Sequence, residues 1–220
     1  MRGFKLVVFD LDGTLVDASR DIASALNDAL GRLAPGHTPL SEERVRSFIG
    51  EGAQLLVERG LSAAGLSAPP AEVLPLFLEC YRSRLLETTR LYPGVAEALD
   101  AFHGTRLAVL TNKPGDLSRA LLEGLGVAFR FGRICGGGDV TARKPDPLGL
   151  VRLMEQEEVS PRETLMVGDS PIDIQTGRGA GTLTAGVLYG LDPQGIRAAA
   201  PDFLVKDPRE IPLLSPPAAG

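Results

Sequence analysis

The amino-acid sequence predicts an α/β protein, a doubly wound parallel sheet into which a domain of α-helices is inserted. Two observations predict this fold. Short, uninterrupted apolar runs alternate with helix-length amphipathic stretches, which is typical of a parallel sheet covered by helices on both faces. The exception is the interval after the first apolar run, which is much too long for a single connecting helix. We therefore expect one sheet and one insertion.

Six apolar runs bounded by turn residues are predicted to form the strands of the sheet. They lie at residues 5–9, 106–110, 131–135, 164–167 and 183–187, with a weaker run at 203–205. In a doubly wound sheet the first three strands step outward, and the fourth returns to lie beside the first. The predicted order of the first five strands is therefore 3-2-1-4-5.

The insertion spans residues 17–90 and contains patterns typical of helices only. One apolar face recurs at helical spacing over residues 22–33, and a second recurs over residues 74–85. Segments rich in proline and glycine separate the helical stretches. We expect three to four helices in this insertion, and a core domain formed by residues 1–16 and 91–220.

The composition argues against several classes of protein. The net charge is −5, so binding of nucleic acid or of an anionic membrane by bulk charge is not expected. No apolar run approaches the roughly 18 residues that a membrane span needs, and the run near the N-terminus ends too early for a signal peptide. Two cysteines cannot form a disulfide framework or a zinc site by themselves. We expect a cytoplasmic monomer or homodimer.

Two carboxylates directly follow the first predicted strand. Asp10 and Asp12 alternate along an extended segment, so their side chains share a face at the carboxyl edge of the sheet, where α/β proteins bind ligands. Gly13 lets the chain turn beneath a ligand. A calcium-binding EF-hand loop is excluded, because Leu15 stands where that loop needs glycine and Asp21 where it needs glutamate. The pair therefore predicts a different kind of cation site.

A second acidic group follows the fourth predicted strand. Asp169 and Asp173 lie just past that strand, with Pro171 suited to the first turn of a helix. Because the fourth strand lies beside the first, these carboxylates converge on Asp10 and Asp12. Carboxylates with no histidine nearby suit a hard cation, and Mg²⁺ is the first choice because it also pairs with phosphate.

Polar and basic residues at two further positions would supply an anion site. The second predicted strand ends in Thr111, Asn112 and Lys113, which provide a hydroxyl, backbone donors and a cation at the start of a helix. Lys144 precedes another amphipathic helix and has little freedom beside Pro145. A metal, a hydroxyl, an ammonium group and paired carboxylates at one edge of a sheet form a set that phosphoryl transfer uses.

Four segments, in this order, resemble the signature motifs of the haloacid dehalogenase-type phosphotransferase superfamily. They are DLDGTLVD at 10–17, TNK at 111–113, KP at 144–145 and GDSPID at 168–173. The resemblance covers essentially the whole chain and implies a Rossmann-like core with an inserted α-helical cap. Three further segments are most similar to phosphoglycolate phosphatase-like members: FIGEGA at 48–53, GGGDV at 136–140 and LYG at 188–190.

The resemblance implies hydrolysis through an aspartyl-phosphate intermediate. Asp10 would attack phosphorus, while Asp12 would protonate the leaving oxygen and then take a proton from the attacking water. Thr111 and the amide of Asn112 would bind phosphoryl oxygens. Lys144 would offset charge on the nucleophile and on the transferring group.

The resemblance also implies a set of metal ligands and a class of substrate. Asp10, the backbone carbonyl of Asp12 and Asp169 would hold Mg²⁺, with Asp173 supporting this shell through water. Lys113 would bind the remote end of the substrate or lie on the surface. The cap would close over a small phosphorylated metabolite, for which 2-phosphoglycolate is the best single candidate.

Several alternatives follow from the same residues. Asp12 disfavours carbon–halogen cleavage, because a halide leaving group needs no proton. The absence of lysine from residues 17–90 excludes a phosphonate-cleaving relative that uses a cap lysine as a Schiff base. A sugar-phosphate mutase, a pyrophosphatase and a catalytically inactive binding or scaffold protein on the same fold stay open.

Overall fold

The computed structural model describes residues 3–217. Two strands and then four helices come first, and from there on strands alternate with helices. The strands are β1 (Leu6–Phe9), β2 (Val16–Asp17), β3 (Arg90–Leu91), β4 (Arg106–Pro114), β5 (Arg133–Gly137), β6 (Thr164–Gly168), β7 (Leu183–Val187) and β8 (Phe203–Val205). The helices are α1 (Ser19–Leu33), α2 (Glu42–Arg46), α3 (Ala53–Ala64), α4 (Pro70–Ser83), α5 (Val95–Ala101), α6 (Gly115–Gly124), α7 (Leu148–Glu157), α8 (Pro171–Gly179) and α9 (Pro193–Ala199).

The central sheet has six parallel strands in the order β5-β4-β1-β6-β7-β8. This confirms the predicted order of the first five core strands and adds β8 at the edge beside β7. The register places Val7 opposite Leu107 on one side and opposite Leu165 on the other. The carboxyl ends of β1, β4 and β6 therefore meet at one edge of the sheet, where the predicted site residues follow them.

Both faces of the sheet are covered, which explains why its central strands are apolar throughout. β1 is buried along its whole length. Leu6 and Val8 pack in one apolar cluster, which also contains Leu150 of α7. Val7 and Phe9 belong to a second, larger cluster that extends into the helical insertion.

The insertion contains α1 to α4, within the range of three to four helices expected from the sequence. In α4 the buried positions include Val73, Phe77 and Tyr81, whereas Leu74 and Leu78 are only partly buried. The buried face is therefore rotated relative to the one that the sequence pattern predicts. We call residues 18–89 the cap.

A short antiparallel ribbon joins the cap to the core, although the sequence pattern indicates helices only. β2 pairs with β3, with Val16 opposite Leu91 and Asp17 opposite Arg90. Strands of two residues are too short to show the alternation that identifies a strand in a sequence. The ribbon brings the two connections between core and cap side by side. Within residues 3–217 no helix is both long and apolar enough to cross a membrane.

Candidate active site

The ends of β1 and β6 approach each other closely enough to place their carboxylates in one site. The Asp10 amide donates to the carbonyl of Val167 at 2.9 Å, which continues the pairing of the two strands. Gly13 has φ +90°, and a Cβ atom there would lie 2.1 Å from Oδ2 of Asp169. Only glycine permits both this backbone conformation and this contact.

Three buried carboxylates form an acidic cluster at this edge. Asp10, Asp169 and Asp173 each present an oxygen atom within 4.8 Å of the others. Burial raises the pKa of Asp10 to about 6, an effect that Lys144 opposes and Asp173 reinforces. Burial, followed by the charges of Asp173 and Asp10, raises the pKa of Asp169 well above its usual value. Burial thus disfavours the charged forms of these carboxyl groups, and their mutual repulsion adds to that effect.

One ammonium group lies in the cluster. Lys144 Nζ is 2.8 Å from Oδ1 of Asp10 and 2.6 Å from Oδ1 of Asp173. Burial alone would lower the pKa of Lys144, but the two carboxylates outweigh that effect and raise it. The ammonium is aligned for a hydrogen bond with Asp173 but not with Asp10, whose Oδ1 is buried without a donor among the described residues.

The cluster fits a divalent cation. Its potential ligands are carboxylate oxygens, which are the ligands that Mg²⁺ prefers, and among the described residues Oδ1 of Asp10 is held only by its ion pair with Lys144. The other oxygens are held in place. Asp169 accepts from the amide of Leu191 at 2.8 Å and from the hydroxyl of Thr14 at 3.3 Å. Asp173 Oδ2 accepts from the amide and hydroxyl of Ser170 at 3.1 and 2.8 Å, which caps α8.

Asp12 lies beside the cluster, but its carboxylate contacts a different lysine. Both oxygens of Asp12 accept from Lys113 Nζ at 3.0 Å. Lys113 also donates to the hydroxyl of Tyr81, a cap residue, at 2.5 Å. Burial would lower the pKa of Lys113, but Asp12 and Tyr81 raise it. Lys113 is buried, so the surface position considered for it does not apply.

Thr111 and Asn112 have different surroundings at the end of β4. Thr111 lies with Asp10 against the same cavity. The Asn112 side chain instead donates to the carbonyls of Gly50 at 3.1 Å and Lys144 at 3.0 Å, and accepts from the Lys144 amide at 2.9 Å. Asn112 thereby ties a cap loop and the Lys144 loop to the strand, and only its backbone amide is left to bind phosphate.

A small cavity separates the cap from the carboxylates of the core. Its polar end is lined by Asp10, Asp12, Thr111 and Lys113, and most of its remaining wall is apolar. The cavity measures about 40 Å³, which is room for about three water molecules. The buried carboxylate of Asp10, a second carboxylate on Asp12 and a small cavity beside both are thus present together.

Comparison with known proteins agrees with this geometry. A model of the haloacid dehalogenase-like hydrolases matches residues 7–187, which include all four motifs. The chain belongs to this hydrolase family. The resemblance inferred from the sequence is therefore confirmed.

Relatives within the haloacid dehalogenase-like hydrolases have consistent names. A phosphoglycolate phosphatase of Vibrio parahaemolyticus is 38% identical over 216 residues, covering 94% of each chain. A phosphoglycolate phosphatase of Rhodospirillum rubrum is 41% identical over 196 residues, which is 84% of this chain and 80% of that protein. The crystal structure of a predicted phosphoglycolate phosphatase from Haemophilus somnus superposes with a TM-score of 0.90 at 33% identity, covering 96% of this chain and 97% of that one.

In this haloacid dehalogenase-like chain, two contacts of the site were not expected from the sequence. Tyr81 falls on the apolar face that the helical spacing over residues 74–85 predicts, and nothing in that spacing indicates that its hydroxyl meets Lys113. The side chain of Asn112 was not expected to bridge to Gly50, because the two residues are distant in sequence and lie in different domains. The carboxylates and lysines of the core site, in contrast, lie at positions that the four motifs indicate.

Proposed function

We propose that this chain is a Mg²⁺-dependent phosphatase that hydrolyses 2-phosphoglycolate, a phosphoric monoester, through an aspartyl-phosphate on Asp10. The observation that carries the proposal is the convergence of Asp10, Asp169, Asp173 and Lys144 beneath a cap-covered cavity. The names of the relatives support the choice of substrate.

In the first step an oxygen of Asp10 attacks phosphorus and the bond from phosphorus to the leaving oxygen breaks. Asp12 lines the same cavity and gives a proton to that leaving oxygen. Lys144, 2.8 Å from Asp10, holds the nucleophile and offsets charge that builds on the transferring group. Asp10, the backbone carbonyl of Asp12 and Asp169 would hold Mg²⁺, with Asp173 supporting this shell through water, and the ion would supply further positive charge against the phosphoryl oxygens.

In the second step water attacks phosphorus and the bond to Asp10 breaks, which releases inorganic phosphate. Asp12, now ionised, takes the proton from that water. Thr111 and the amide of Asn112 bind phosphoryl oxygens in both steps. Two displacements at phosphorus, first by Asp10 and then by water, thus replace one direct attack by water, and Asp12 moves the proton in both.

The size of the cavity supports a small leaving group. A cavity of about 40 Å³ has room beside the apolar cap residues for a group of a few non-hydrogen atoms, since one water molecule needs about 10–15 Å³. Glycolate matches this size better than a hexose does. The cytoplasmic location and the monomeric or homodimeric state stay predictions.

A panel of phosphate esters with and without Mg²⁺ tests the proposed function. We expect phosphate release from 2-phosphoglycolate to exceed release from hexose phosphates, pyrophosphate and nucleoside monophosphates, and to stop when Mg²⁺ is chelated. Asp10→Asn should abolish turnover while leaving the circular dichroism spectrum unchanged. Turnover by that variant would contradict the mechanism, and isomerised sugar phosphate without free phosphate would instead indicate a mutase.

A further inference from the structure

The donor atoms of Lys113 are fully used inside the protein. An ammonium group has three N–H donors. Those of Lys113 are directed at the two oxygens of Asp12, both at 3.0 Å, and at the hydroxyl of Tyr81 at 2.5 Å. Lys113 therefore pairs with the ionised form of Asp12 and has no donor left for a substrate while these contacts persist.

The hydroxyl of Tyr81 is in the opposite situation. It accepts from Lys113, and no acceptor among the described residues takes its own proton. Burial raises the pKa of Tyr81 to about 12, so the proton stays on the oxygen at neutral pH. The residue also lines the cavity above Asp10 and Asp12. A hydroxyl that accepts from an ammonium is polarised and becomes a better donor to the next acceptor.

The rest of the cap wall offers little to a polar ligand. Its side chains in the cavity are apolar: Ile22, Ile49, Ala53, Leu56, Phe77 and Leu78. Of the described residues that line the cavity, Lys113 alone carries a positive charge. A substrate with an anionic group at its remote end would therefore meet one side-chain donor from the cap, and that donor lies directly against the one cation.

We propose that Tyr81 is a specificity-determining residue, whose hydroxyl donates a hydrogen bond to a carboxylate at the remote end of the leaving group. Lys113 acts behind it as a fixed positive charge that polarises the phenol, and while Asp12 carries the proton for the leaving oxygen, this charge is not offset and attracts the carboxylate. This inference rests on the proposed phosphatase function and adds the atom that distinguishes an anionic leaving group from a neutral one.

The test compares two esters of similar size. 2-Phosphoglycolate carries the carboxylate, and ethyl phosphate has a methyl group in its place. The Tyr81→Phe variant keeps the ring, which stacks on Phe77 at a centroid distance of 5.8 Å, and removes only the hydroxyl. We expect kcat/KM of the variant to fall about 10- to 100-fold for 2-phosphoglycolate and to change by no more than about twofold for ethyl phosphate.

Tyr92→Phe is the matched control. Tyr92 does not line the cavity, and its hydroxyl has no hydrogen-bond partner among the described residues, so its removal should leave the ratio of the two kcat/KM values unchanged. An equal loss for both esters in Tyr81→Phe would assign the hydroxyl to holding Lys113 and would overturn the inference. A wild-type enzyme that hydrolyses both esters equally well would overturn it too. If the wild-type enzyme hydrolyses neither ester, that result contradicts the proposed function itself.

Discussion

Asp21 is a buried carboxylate where the cap joins the core. It lies in the first turn of α1 and is 1% exposed. It accepts hydrogen bonds from the amides and hydroxyls of Thr88 and Thr89, the residues just before β3, at 2.5 to 3.0 Å. Asp21 thereby ties the start of the cap, in α1, to the end of the cap, just before β3. The placement of the cap over the site depends on this junction.

Replacing Asp21 with Asn should lower the free energy of unfolding by about 1–3 kcal/mol at pH 7. Burial alone would raise the pKa of Asp21, but the hydrogen bonds from Thr88 and Thr89 outweigh it and lower the pKa below 3.8. A carboxyl group that is more acidic in the folded state stabilises the protein above its unfolded pKa and loses that contribution as the pH falls. Denaturant unfolding at several pH values should therefore show that the difference in free energy of unfolding between wild type and Asp21→Asn shrinks below about pH 4.

Asp28→Asn on the same helix is the control for Asp21. Asp28 is exposed and forms a surface ion pair with Arg84, a kind of contact that contributes at most about 1 kcal/mol. A larger loss of stability for Asp28→Asn than for Asp21→Asn would contradict the account of the junction.

Gly190 leaves room for Asp169. A Cβ atom at Gly190 would lie 2.3 Å from Cβ of Asp169 and 2.4 Å from the carbonyl oxygen of Gly13. Gly190→Ala should therefore displace Asp169, cost about 1–3 kcal/mol of stability and raise the Mg²⁺ concentration needed for half-maximal activity. Gly3→Ala, where nothing lies within 4 Å of the added methyl, should change neither quantity. An unchanged Mg²⁺ requirement in Gly190→Ala would argue against Asp169 as a metal ligand.

The candidate site residues could be predicted at this scale because their types and spacing carry the chemistry. Asp10 and Asp12 alternate at a strand end, and Asp169 follows a neighbouring strand. The roles of Tyr81 and Asn112 could not be predicted, because they depend on how the cap sits on the core. That placement arises from packing between residues far apart in the chain.

At the scale of elements, α8 positions part of the acidic cluster. Its first turn starts at Pro171, and Ser170 and Asp173 form a reciprocal capping box. Asp173 thus satisfies free backbone and hydroxyl donors with one oxygen, and its other oxygen faces Lys144. The hydrogen bonds at the N-terminal end of α8 therefore also fix the position of the Asp173 carboxylate in the site.

Ser170→Ala should weaken both stability and metal binding. Loss of the capping hydroxyl is expected to cost about 1 kcal/mol and to loosen Asp173, which raises the Mg²⁺ concentration needed for half-maximal activity. The matched control is Ser41→Ala, which removes the N-cap hydroxyl that accepts from the Arg44 amide in α2. That control should cost similar stability in thermal unfolding without changing the Mg²⁺ requirement. Equal Mg²⁺ requirements in both variants would contradict the link between the Ser170 hydroxyl and metal binding.

The elements of the core were predictable from apolar runs, but their ends were less so. β4 extends to Pro114, past the predicted end at residue 110, and its pairing with β5 becomes irregular after Leu110. The polar residues of the motif interrupt the apolar pattern, so the sequence does not show that the extended backbone continues. β5 likewise begins two residues later than predicted, after a turn at Ala128–Arg130.

At the scale of the whole molecule, the cap is held against the core around the site. Polar contacts there join Asn112 to Gly50, Arg46 to Gly190, and Lys113 to Tyr81. Each joins a cap residue to a residue next to the cavity or the acidic cluster. These contacts hold the cap directly over the cavity beside Asp10 and Asp12.

Mg²⁺ should stabilise the whole fold, because it offsets the charge of three buried carboxylates. At 100 times its dissociation constant, a ligand adds about 2.7 kcal/mol, which raises Tm by about 5–11 °C for a protein of this size. Calorimetry with and without Mg²⁺ measures the effect. Asp169→Asn should lose most of it, whereas Glu163→Gln, which alters an exposed ion pair with Lys5, should retain it. Equal shifts in the two variants would place the metal elsewhere.

The proposed mechanism transfers the phosphoryl group to Asp10 before water releases it. Rapid acid quenching of the enzyme during turnover of ³²P-labelled 2-phosphoglycolate, followed by peptide mapping of the labelled protein, detects this intermediate. We expect label on the peptide containing Asp10 before free phosphate accumulates, and none on Asp10→Asn. Steady release of phosphate with no labelled protein, or label on a peptide that lacks Asp10, would contradict the proposed mechanism.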